Sequence, residues 1–99
     1  MKCLRLDQEN ELRLKIVGAL DALTARHVRP IFDQVVAERP KRVTVDLESL
    51  ALIDSTGVFA IISLFKRVKA TGGQVAVIQA KDQPLAVLKT LKLERVFGL

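Results

Sequence analysis

The hydrophobic pattern of this chain predicts an α/β fold built on a four-stranded mixed sheet, in the order ββαβαβα. Three observations carry that expectation. Apolar and polar residues alternate over residues 2–17, the period of a half-buried strand. Further strand-like runs are then separated by segments with helical spacing, which implies right-handed crossovers and parallel neighbours. Finally, the chain has 99 residues, 49% of them hydrophobic, enough for one small core and no second.

Each element has its own signal. Leu4 and Leu6, then Leu12, Leu14 and Ile16, alternate with Arg5, Arg13 and Lys15. The polar break Asp7-Gln8-Glu9-Asn10 makes the two runs a β-hairpin, ended by Gly18-Ala19-Leu20-Asp21. Val28, Ile31, Phe32, Val35 and Val36 then form one helix face. Asp21 or Thr24 can cap its start. Pro30 leaves two possibilities, a helix starting near Arg29 or an earlier turn kinked at the proline. Pro40 closes the segment.

Val43, Val45 and Leu47 alternate with Thr44 and Asp46, a third strand, and Leu50–Ile53 reads as a short apolar connection. After Asp54-Ser55-Thr56-Gly57, the residues Val58, Phe59, Ile61, Ile62, Phe65 and Val68 mark a second amphipathic helix. Lys66, Arg67 and Lys69 suit the negative end of its dipole, and Gly72-Gly73 stops it. Residues 74–78 are nearly continuously apolar, as in a buried parallel strand. Pro84 opens a third helix with Leu85, Leu88 and Leu91 inward. Leu93, Val96, Phe97 and Leu99 are expected to pack the last residues onto the core.

Composition excludes several classes. No apolar run approaches the ~18 residues of a membrane span. Charges in Met1-Lys2-Cys3-Leu4-Arg5 stand where a signal peptide needs an apolar stretch, so the expected location is cytoplasmic. The single cysteine, Cys3, cannot form an internal disulfide, and no Cys/His cluster offers a metal site. The lone His27 reads as a surface helix residue. There are 16 Lys and Arg against 11 Asp and Glu, and residues 66–99 hold 7 basic and 2 acidic side chains, so the excess sits in the last third. Such a region is either solvated surface or a face for nucleic acid or anionic membrane. Without Trp or Tyr, stacking platforms for single strands are scarce, and no recognition-helix motif is apparent, so no nucleic-acid partner is expected.

Candidate chemistry gathers at strand ends. Asp21 follows the second strand, Asp46 lies late in the third, and Asp54 precedes the second helix. Sites of open α/β sheets lie at the carboxyl ends of strands, so the three carboxylates could share one surface beside Ser55 and Thr56. No base is placed by sequence to activate Ser55, Asp-Ser-Thr-Gly is not a Gly-x-Ser-x-Gly elbow, and no phosphate loop exists. A catalyst is therefore not expected. Asp54-Ser55-Thr56-Gly57 has two readings: a helix N-cap, with Gly57 permitting close packing, or a phosphoacceptor hydroxyl at a helix start, where backbone donors stabilise the phosphate.

Four features together resemble the STAS domain family of anti-sigma factor antagonists. They are Gly18-Ala19-Leu20-Asp21 after the second strand, Arg42-Val43-Thr44-Val45-Asp46-Leu47, Leu52-Ile53-Asp54-Ser55-Thr56-Gly57-Val58, and the ending Leu91-Lys92-Leu93-Glu94-Arg95-Val96-Phe97. The third resembles the family's Asp-Ser-Ser/Thr-Gly signature. The resemblance implies one STAS-like domain over residues 1–99, its helices mainly on one face of the sheet. It also implies that an anti-sigma factor with serine-kinase activity phosphorylates Ser55, with Thr56 the weaker acceptor, and that a serine phosphatase restores it. The unphosphorylated form binds the anti-sigma factor and frees the sigma factor. Asp21, Asp46, Asp54, Ser55, Thr56 and Gly57 are the implied partner-binding positions. ATP and magnesium come with the kinase, so no cofactor is expected in this chain. STAS-type modules also serve as structural subunits of membrane-associated lipid-transport or stress-signalling complexes, the alternative implied function.

Overall fold

The computed structural model describes residues 1–99. Its elements are β1 (Lys2–Gln8), β2 (Glu11–Leu20), α1 (Ala25–Ala37), β3 (Arg42–Asp46), β4 (Leu50–Ile53), α2 (Ser55–Ala70), β5 (Gln74–Ile78), α3 (Asp82–Thr90) and α4 (Glu94–Phe97). The sheet runs β1-β2-β3-β5, with β1 antiparallel to β2 and the other pairs parallel. This is the expected mixed α/β sheet with an antiparallel edge.

A fifth strand joins it. Leu50–Ile53, expected as a connection, is β4, which pairs parallel with Gly18–Leu20 of β2. Val43 lies opposite Leu12 and Ile53 opposite Leu20, so ten residues on one side advance against eight on the other. β3 and β4 thus behave as one interrupted strand beside β2. One residue of the excess is taken up at Leu47–Ser49, where the Glu48 N–H donates to Asp46 Oδ1 at 2.9 Å and the Leu50 N–H to the Leu47 carbonyl at 3.1 Å, and the other at Ala51, where the register shifts between Gly18 and Ala19.

Strand alternation sorts the side chains. Leu12, Leu14, Ile16, Val43, Val45, Val75 and Val77 enter the core, with Val28, Phe32 and Val35 of α1, Val58, Ile61, Leu64 and Val68 of α2, Leu88 and Phe97. Arg13, Lys15, Thr44 and Asp46, one residue out of phase, belong to the other face of the sheet. Burial of the apolar face against helices is the main stabilising term of such a layer.

Several elements differ in detail from the sequence pattern. α1 begins at Ala25 and carries Pro30 inside it, so the proline is accommodated after the first turn rather than at the helix start. Phe59 is 66% exposed, because the inward face of α2 is Val58, Ile61, Leu64 and Val68, and residue 59 lies about 100° round from Val58. Leu91 is exposed at the C-cap of α3, and only Pro84 and Leu88 of that helix are fully buried. Phe97 is buried as expected, whereas Val96 and Leu99 are exposed. His27 is an exposed helix residue. No helix is long and apolar enough to cross a membrane.

Candidate functional site

The carboxyl ends of β2 and β4 lead directly into α1 and α2, and the site is built at that junction. β2 ends at Leu20, and Asp21 turns the chain. Its Oδ1 accepts from the Leu23 N–H at 3.0 Å and the Thr24 N–H at 2.9 Å, while the Thr24 hydroxyl returns to the Ala19 carbonyl at 2.8 Å. These bonds favour the ionised form. The Thr24 N–H holds the Asp21 carboxyl below the usual carboxylate range; partial burial opposes it, and the Thr24 hydroxyl and Leu23 N–H add to the lowering.

β4 ends at Ile53, and Asp54 becomes the N-cap of α2 in an extended conformation. Its two oxygens bind two segments: Oδ1 accepts from the Gly57 N–H at 2.9 Å, and Oδ2 from the Ala22 N–H at 3.1 Å. The cap reading of this aspartate therefore holds, and the same carboxylate fastens the turn after β2 to the helix. The Asp54 N–H in turn donates to the Leu20 carbonyl at 3.2 Å.

Gly57 makes this junction possible. A Cβ at that position would stand 2.3 Å from the Leu20 carbonyl oxygen and 2.9 Å from both Ile53 Cγ1 and Leu20 Cγ. Only a residue without a side chain lets α2 approach the end of β2 so closely.

Ser55 is exposed at the first position of α2, where backbone N–H groups lack helical partners. It opens on a shallow groove of about 310 Å³ against α3, lined also by Gln83, Ala86, Val87, Thr90 and Leu91. Thr56 is half-buried and lines a different groove, of about 460 Å³ between α1 and α2, with Arg29, Phe32, Asp33, Phe59 and Arg67. Adjacent hydroxyls thus have different surroundings. Exposed Leu23 and Phe59 give the surface around them apolar character.

Asp21, Asp54, Ser55, Thr56 and Gly57 are brought together, and Asp46 is not. Asp46 is buried beneath the other face of the sheet, where Arg13 Nη1 lies 3.9 Å away and Gln79 Nε2 3.5 Å from its carboxylate. Alternation explains this: Asp46 shares the phase of Thr44, whose face turns away from the helices. Gln83 is the residue the sequence did not flag. Its amide donates to the Ile53 carbonyl and accepts the Ile53 N–H, both at 2.9 Å, docking α3 beside Ser55. An isolated glutamine in a first helical turn carries no signal for such a role.

A depression of about 720 Å³ lies at the far end of the sheet near the hairpin turn, lined by Arg5, Asp7, Glu11, Glu38 and Arg42 among others. Its charges serve one another: Arg5 binds Asp7 at 2.8 Å and Glu38 with both terminal nitrogens. It shares no residue with the groove of Ser55.

Comparison with known proteins agrees with this architecture. An anti-sigma factor antagonist from Mycobacterium paratuberculosis superposes with a TM-score of 0.90 at 19% identity, over 99% of this chain and 83% of that one. The Bacillus cell fate determinant SpoIIAA, in its phosphorylated form, gives 0.76 at 14% identity over 95% and 86%. A sulfate transporter family protein from Wolinella succinogenes gives 0.76 at 18% identity over 94% and 75%. These likenesses establish a shared fold. The STAS domain model matches residues 6–99, almost the whole sequence, and this chain belongs to the STAS domain family.

Proposed function

We propose that this protein is an anti-sigma factor antagonist, a partner-switching module of the cytoplasm rather than a catalyst. In this reading Ser55 accepts phosphate from an anti-sigma factor with serine-kinase activity. The unphosphorylated face binds that anti-sigma factor, the phosphorylated face is released, and a serine phosphatase resets it. The observation that carries the reading is the placement of Ser55: an exposed hydroxyl at the first position of a 16-residue helix, next to an aspartate whose carboxylate is held by two amides.

The physics of the switch follows from that placement. A phosphate adds about −1.5 to −2 charges at neutral pH. At about 5 Å from a carboxylate, each added charge costs about 3 kcal/mol at an effective dielectric of about 20. Against an acidic or closely packed partner surface this lowers affinity by roughly two orders of magnitude. The N-terminus of α2 offsets part of the charge within the domain. The Asp54 bonds to Gly57 and Ala22 hold the loop in place, so the surface changes its charge while the fold stays.

The test is mass spectrometry of protein from its host, with calorimetry of both forms against the anti-sigma partner. Phosphate on Ser55 and its loss in Ser55→Ala are expected, with tight binding by the unmodified form alone. Phosphate retained in Ser55→Ala would transfer the acceptor role to Thr56. Equal affinities of the two forms would end the switch reading.

A further inference from the structure

β1 is an outer strand of the sheet and pairs with β2 alone, without interruption from Lys2 to Gln8. All of its residues are exposed except the half-buried Cys3. The direction of its free backbone groups follows from its neighbours. The Gly18 N–H of β2 donates to the Ser49 carbonyl, on the side of β3 and β4. Even residues of β2 therefore face β3 and β4, and odd ones face β1. Leu6 lies opposite Arg13, so the even residues of β1 face β2. The N–H and C=O groups of Cys3, Arg5 and Asp7 point outward, and no other segment bonds them.

Free edges of this kind are ordinarily blunted by a proline, a bulge or an unpaired charge. β1 has no proline and no register shift. Its central charge, Arg5, is neutralised within the chain by Asp7 at 2.8 Å and by Glu38 through both terminal nitrogens. Leu4 and Leu6, opposite Lys15 and Arg13, stand on the face of the sheet turned away from the helices, 52% and 54% exposed. The edge thus combines unbonded backbone groups with two uncovered leucines.

We propose that this edge pairs with the β1 edge of a second copy, antiparallel about a two-fold axis normal to the sheet at Leu6. Such an axis keeps every side chain on its own face, so Leu6 meets Leu6 of the second copy. Arg5 then lies opposite Asp7 of the second copy, and Asp7 opposite its Arg5. Leu4 lies diagonal to the second copy's Leu6, within reach of a long side chain. Charge selects both the occupant and the register. An axis at Arg5 would set two arginines face to face, and one at Leu4 would set Lys2 against Leu6 and Arg5 against Cys3. Pairing at Leu6 joins two five-stranded sheets into one, with all helices on the same side. The β2 strands of the two copies then run antiparallel, so the two Ser55 faces lie at opposite ends and stay free. The inference is independent of the phosphorylation of Ser55.

The test is sedimentation velocity of the whole chain from about 5 to about 500 µM, the range in which a small interface associates. A monomer–dimer equilibrium is expected. Leu6→Lys sets two lysines against each other at the axis and should weaken the dimer at least about tenfold. Leu52→Lys is the control: Leu52 is 46% exposed on the same open face, opposite Ala19 and away from the β1 edge, so its variant should dimerise as the parent does. Circular dichroism checks both folds. Register is read by oxidation in a Cys3→Ala background. Leu6→Cys should form a disulfide-linked dimer, because the two Leu6 positions are a close, non-hydrogen-bonded pair. Leu4→Cys should not, since its counterpart lies four residues along the strand, about 13 Å away. A monomer at every concentration, equal loss in Leu6→Lys and Leu52→Lys, or linkage through Leu4→Cys in place of Leu6→Cys would overturn the proposal. Growth beyond the dimer would also overturn it, because a two-fold pairing of edges closes.

Discussion

Replacing Gly57 by alanine separates helix propensity from packing, because the two predict opposite signs. Alanine in place of glycine favours a helix by up to about 1 kcal/mol. Here, however, the new methyl would stand 2.3 Å from the Leu20 carbonyl oxygen, whereas ordinary contact begins at 3.4 Å. Helix and strand would have to separate by about 1 Å, in a close-packed interior. The methyl also presses on Ile53 Cγ1 and Leu20 Cγ, each at 2.9 Å. Overpacking of this kind costs about 1–3 kcal/mol. Moving the Leu20 carbonyl also weakens its bond from the Asp54 N–H, at 3.2 Å, for about 1 kcal/mol more. Net of the propensity gain, Gly57→Ala should lose about 1–3 kcal/mol, a fall in Tm of about 5–20 °C for a domain of this size. Gly72, at φ +89°, is the control: nothing lies within 4 Å of its Cβ, so Gly72→Ala carries only backbone strain of about 1 kcal/mol. Urea and thermal unfolding of both variants provide the measurement. A Gly57→Ala protein as stable as the parent would refute the close-approach reasoning.

Asp54→Ala removes the acceptor of two backbone bonds and should cost about 1–2 kcal/mol in urea unfolding, with Asp54→Asn recovering part of it; no change would mean that the cap carries no weight. Asp21 has a folded-state pKa below its unfolded value, so its contribution is present above the ordinary carboxylate range near pH 4 and is lost as pH falls through the lowered value. The stability gap between parent and Asp21→Asn should therefore narrow on acidification, and a gap independent of pH would contradict this. Burial pushes the Cys3 thiol up to about 11, so its reaction with a disulfide reagent at neutral pH should be at least about tenfold slower in the folded protein than in urea. Equal rates would show the thiol to be freely accessible.

The sequence reveals elements whose side chains have a periodic environment. The hairpin, β3, α2 and β5 lie in such environments, and the Asp54 cap is a local device that four residues specify. β4 is hidden because Leu50-Ala51-Leu52-Ile53 has no alternation, and its partners in β2 lie 32–33 residues earlier. The start of α1 is hidden because Pro30 argues against the helix that surrounds it. Phe59 and Leu91 look like core residues by type, but their angular position about the helix places them outside. Asp46 shows the same limit at the site: nearness to a strand end says nothing about which face a side chain takes. The dual grip of the Asp54 carboxylate and the docking by Gln83 are tertiary, and neither leaves a local mark.

The pairing of β2 with three different strands has a consequence for how the chain reaches this structure. Only the seven-residue ladder with β1 is local, closed by a two-residue turn at Glu9-Asn10. Such a hairpin forms in microseconds but is marginal alone. The parallel contacts with β3 and β4 must wait for the crossover through α1, and those of β5 for a second crossover through α2. Folding should therefore be slower than in helical domains of equal length, limited by loop closure. During that delay the free edge of β2 offers unpaired amides beside Leu12, Leu14 and Ile16, a template for a second nascent chain. The charges of Arg13 and Lys15, which alternate with those leucines, repel an identical strand laid against it in register.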